Sequence, residues 1–186
     1  MKPTLLTSPD VILRQAKVLF ATKGVRSFHE EGANYFAFGI SDQDYQLVVR
    51  AEVEPELNRF YLATRLFDSH GRSAADCQEL AAKLNGFARY SNVVLTGEAH
   101  PGFVLESILL LADGTCLDRQ IDFLCDMHLS SVAILMPLIA QFARQETNLE
   151  SLMVELRITR TAHDDQLSLK AGRDLPASFK RQHGRN

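Results

Sequence analysis

The stretch FVLESILLL, residues 103–111, is apolar at both parities of a strand. Leu105, Leu109 and Leu111 point one way, and Val104, Ile108 and Leu110 point the other. A strand in a sheet with one wet face alternates apolar with polar, so a run of this kind needs cover on both sides. A domain has helices for one face. The second face calls for a dimer mate, a client segment, or residues 146–160 of the chain itself.

The elements around this strand define the layers. SPDVILRQAKVLFATKG is a helix, with Ser8 as N-cap, Pro9 in the first helical position and Ile12, Leu13, Ala16, Leu19 and Phe20 on one stripe. From 33 to 67 the period changes to two: Phe36, Phe38 and Ile40; a turn at SDQD; then Leu47, Val49, Ala51 and Val53. Pro55 breaks the pattern, and a third strand runs from about Arg59 to Phe67. Ser73, with Asp76 three residues on, opens a second helix whose Cys77, Leu80, Ala81 and Leu84 face inward. A hairpin turning at His100-Pro101-Gly102 follows, then the longest helix, Leu117 to about Gln145. Pro137 lies inside that helix, at a cost of about 3 kcal/mol that its apolar neighbours offset, so a kink is expected. LESLMVELRIT fits helix or strand, with a lean toward strand through Leu152, Val154, Leu156 and Ile158.

The order helix, three-strand meander, helix, hairpin, long helix predicts an α+β domain over 1–160. Its sheet is antiparallel and the long C-terminal helix packs on it. Residues 161–186 read as a polar tail.

This order, with the stretch from KLNGFARYSNVV to LDRQIDFLCDM, resembles the YbjN-like family and the type III secretion chaperones of the CesT kind. The points of likeness are a helix ending in Leu84-Asn85, strands at Val93–Ala99 and Phe103–Leu111, an acidic turn at Asp113-Gly114, and a helix opening at Leu117-Asp118. The resemblance covers roughly residues 8 to 145. The chain is longer and less acidic than such chaperones, and its last forty residues or so have no counterpart in them. The resemblance implies a homodimeric, non-enzymatic binding protein and offers no catalytic motif. On that basis Phe103, Leu105, Leu109 and Leu111, with Leu135, Met136 and Ile139, are the expected partner or dimer surface. Each of the seven has ordinary core as its competing role.

Chemistry is hard to find. His29 beside Glu30 and Glu31 lacks the second histidine of a zinc-protease helix. Cys125 and His128 stand three apart, but structural zinc takes four ligands and neither Cys77 nor Cys116 has a matching spacing. Asp126, His128, Ser130 and Ser131 are triad residue types that diverge from one helix. The ten glycines form no G-x-G, so no nucleotide fingerprint occurs. No metal and no cofactor is therefore expected.

The alternative to a binding module is a small enzyme with a pocket around His29, Glu30 and His100. A third reading, a regulator touching nucleic acid, rests only on the basic end of the chain, FKRQHGRN. A net charge of −3 argues against nucleic acid and anionic membrane as partners. The most apolar run, Val132 to Ala140, has nine residues where a membrane span needs about 20. Three unpaired cysteines and no signal-peptide pattern predict a cytoplasmic protein.

Overall fold

The computed structural model describes residues 9–22, 25–29, 32–41, 46–69, 71–86, 91–97, 101–111 and 118–157. The chain divides into two compact units, Met1–Glu146 and Thr147–Asn186.

In the first unit, helix α1 (Pro9–Thr22) buries Ile12, Leu13, Ala16 and Phe20, the stripe its spacing predicts. A short strand β1 (Ser27–His29), absent from the sequence-based reading, pairs with β2 (Tyr35–Ser41) at one sheet edge. β3 (Gln46–Glu54) follows, and the break at Pro55 is a single 3-10 turn, Pro55–Leu57. Asn58 reverses the chain at φ 53°, a left-handed conformation that Asn tolerates better than most residues. β4 (Arg59–Asp68) then completes the meander.

Helix α2 (Ala74–Asn85) is capped as expected: the Ser73 side chain accepts from the Asp76 N–H at 3.1 Å. β5 (Asn92–Thr96) and β6 (Gly102–Leu110) form the hairpin, and β6 returns to pair with β4. The six strands are antiparallel in the order β1-β2-β3-β4-β6-β5. At the start of β6 the backbone of Gly102 passes between side chains, and a Cβ there would sit 2.8 Å from Asp68 Oδ1 and 3.1 Å from Arg65 Nη2. Both atoms are the far ends of flexible side chains, which would have to shift to admit a Cβ.

Helix α3 (Asp118–Ala143) continues through Pro137, which is exposed, while Leu135, Met136, Leu138 and Ile139 around it are buried. Its length and apolarity would suffice to cross a membrane, yet half of that stretch is buried within the protein, as in a core helix. The last turn is tied down by Arg72, whose Nε donates to the Phe142 carbonyl at 2.8 Å while the guanidinium lies 4.3 Å from the Phe142 ring centroid.

The three helices pack on one face of the sheet, giving two layers. Phe36, Phe38, Val49, Ala51, Val53, Phe60 and Leu62 from the strands meet Ile12, Phe20, Ile121 and Leu124 from α1 and α3 in one core. Phe20 bridges the layers, its ring centroid 4.6 Å from that of Phe38 and 5.6 Å from that of Phe36.

In the second unit, residues 149–157 form a helix, α4, so the lean toward a strand is corrected. Asn148 caps it, its Oδ1 accepting from the Ser151 N–H at 2.9 Å. Leu152 and Leu156, four apart, are buried, whereas Val154, which a strand would have placed with them, is 53% exposed. The cap decides between two periodicities that the apolar residues alone left open.

Candidate functional site: the open face of the sheet

No helix of the first unit lies on the other face of the sheet, among the described residues. Strand register sets its side chains in rows. Tyr35, Glu52, Tyr61 and Ile108 stand abreast across β2, β3, β4 and β6. Beside them runs Phe28, Ala37, Arg50, Ala63, Glu106 and Asn92. Glu54, Arg59 and Leu110 form a third row, and Arg65, Val104 and Val94 a fourth.

The centre of this face is polar and tightly bonded. Glu52, only 8% exposed, accepts from Tyr61 Oη at 2.7 Å and from Asn34 Nδ2 at 3.3 Å, and pairs with Arg50 at 2.7 Å. The Arg50 guanidinium also lies 4.3 Å from the Tyr35 ring centroid, and that of Arg59 lies 5.4 Å from the Tyr61 centroid. Arg59 pairs with Glu54, and Arg65 with Asp68. Burial, and then the bond to Glu52, push the Tyr61 phenol well above its ordinary value. Around this centre sit exposed apolar groups: Leu110 and Phe28 at 73% and Val48 at 62%.

The seven residues expected to form the partner surface lie elsewhere. Phe103, Leu105 and Leu111 are buried on the helix-covered face, with Leu109 half-buried beside them. Leu135, Met136 and Ile139 are buried on α3. In the single chain all of them but Leu109 are buried.

The helix-covered face also holds a line of polar groups that sequence reasoning missed. His128, entirely buried, faces the sheet from α3; its Nε2 lies 2.7 Å from Thr64 Oγ1 and its Nδ1 2.9 Å from Ser107 Oγ. Ser107 continues to Ser91 at 2.6 Å, Ser91 donates to Ser131 at 3.3 Å, and Ser131 donates to the Met127 carbonyl at 2.8 Å. Burial pushes the imidazole down from 6.5 to about 4, so at neutral pH one ring nitrogen donates and the other accepts. The signal was in the strands. Thr64 interrupts Leu62 and Leu66, and Ser107 interrupts Leu105 and Leu109, each at a core-facing parity. Two hydroxyls at neighbouring levels of a buried face require a shared polar partner.

This line is not a triad. Its histidine is held between two hydroxyls, and Asp126 is exposed on another side of α3. Cys125 and Cys77 are buried and in no disulfide, and no group of three or more metal-ligating side chains occurs among the described residues. Glu30, His100 and the tail 161–186 lie outside the described residues, as does the side chain of His29. A recess of about 480 Å³ between β6 and the start of α3 is lined by Ser91, Asn92, Ile108, Leu109, Arg119, Gln120, Phe123 and Leu124. None of these is an acid or base suited to proton transfer near neutral pH.

An antiparallel sheet backed on one face by three helices, the last one long, is the fold of the YbjN-like and secretion-chaperone kind read in the sequence. Two solved structures share it. One chain of the ExsC–ExsE complex matches with a TM-score of 0.53 at 11% identity, over 72% of this chain and 96% of that one. YbjN from E. coli, described as a candidate transcription regulator, matches with a TM-score of 0.52 at 13% identity, over 76% of this chain and 96% of its own. At these identities the likeness is one of fold. No protein-family model and no curated protein matches the sequence.

Proposed function

We propose that the chain is a non-enzymatic, cytoplasmic protein-binding module that works as a homodimer, a second copy covering the open face of the sheet. The observation that carries this is the face itself: an ordered surface of tyrosines, arginines and apolar side chains with no helix of its own unit upon it. Tyr and Arg are the residue types that dominate binding energy at protein interfaces.

Area and charge both favour a second copy. Six strands about 4.8 Å apart, the central ones about 30 Å long, offer roughly 700 Å², against about 800 Å² per partner in a standard interface. Arg50, Arg59 and Arg65 each have a carboxylate partner within the chain. Covering them therefore strands no lone charge, which is what makes buried ions costly. The matched chain of the ExsC–ExsE complex, crystallised with another protein, lends the fold a binding precedent.

Light scattering over a dilution series tests the reading, on the native chain, Ile108→Lys, and Val18→Lys on the exposed side of α1 as control. The expected result is twice 20.8 kDa for the native chain and the control, and 20.8 kDa for Ile108→Lys with unchanged circular dichroism. A native monomer at every concentration removes the homodimer and leaves the face to a partner protein's segment. A dimer that persists in Ile108→Lys places the interface off the open face.

A further inference from the structure

We draw no further inference here: the strongest candidate, the recess between β6 and the first turns of α3 around Ile108, Arg119 and Phe123, carries nothing because no feature of the structure shows what occupies or covers it.

Discussion

Acidification acts on a fully buried imidazole of the core, His128. In the unfolded chain its imidazole takes a proton near pH 6.5; in the folded protein, only near pH 4. Between those values the unfolded state binds more protons, so stability falls as the pH is lowered through that window. The full effect, reached below pH 4, is about 3 kcal/mol, and most of it is already lost at about pH 4.5. That is a large part of the 5–15 kcal/mol typical of a domain.

Urea unfolding at about pH 7.5 and about pH 4.5 measures it, with His128→Gln as reference. Glutamine keeps a donor and an acceptor for Thr64 and Ser107 and carries no titrating proton. Carboxylates that titrate near the lower pH do so in both proteins and drop out of the comparison. The native chain should lose about 2 to 3 kcal/mol more than the variant between the two conditions. Equal losses would refute the reasoning, since they would mean that His128 accepts a proton in the folded state as readily as in the unfolded one.

The open face has its own titration. The Tyr61 phenol should ionise well above the ordinary value near 10 in an ultraviolet titration, and Tyr61→Phe should remove that late step; because its folded value is raised, its contribution to stability is lost as the pH rises above about 10. Gly102→Ala brings a Cβ against the ends of the Asp68 and Arg65 side chains, which can swing aside, so the thermal midpoint should shift by the equivalent of less than about 1 kcal/mol. Arg72→Ala removes both the bond to the Phe142 carbonyl and the stack on its ring. It should cost about 1–2 kcal/mol and speed amide exchange in the last turn of α3 before the rest of the helix.

Most of the fold was legible because its signals are local. The α1 stripe, the period-two runs of β2 to β4, the Ser73 cap and the apolar face of α3 each follow from spacing within one segment. What was missed depends on partners distant in sequence. β1 is three residues long and has little periodicity to read; pairing with β2 defines it. The role of His128 could not be read from its own helix because Thr64 and Ser107, which hold it, come from two strands distant in sequence. The expected partner residues illustrate the same limit. Leu105, Leu109 and Leu111 share a face as their parity requires, but apolarity alone does not say whether a face meets the chain's own helices or another molecule.

The doubly apolar strand now has a physical account. On its inner side Phe103, Leu105 and Leu111 are covered by the chain. On its outer side Val104 lies between Arg65 and Val94, and Ile108 lies beside Tyr61, so an arginine stem and an aromatic ring shield them sideways within the sheet. Both are half-buried although, among the described residues, no helix of the first unit lies above them. Leu110 escapes this shielding. β5 pairs with β6 only as far as Glu106, and among the described residues β6 beyond that point has strand neighbours on the β4 side alone. Leu110 therefore has Arg59 on one flank, no strand on the other, and remains 73% exposed. A partner that covers the outer face gains most where the sheet cannot cover itself, at Ile108 and Leu110. A lysine at Ile108 is consequently the substitution that best separates a shared face from a merely solvated one: it meets water at little cost in the monomer and a desolvation penalty of several kcal/mol in any complex that buries it.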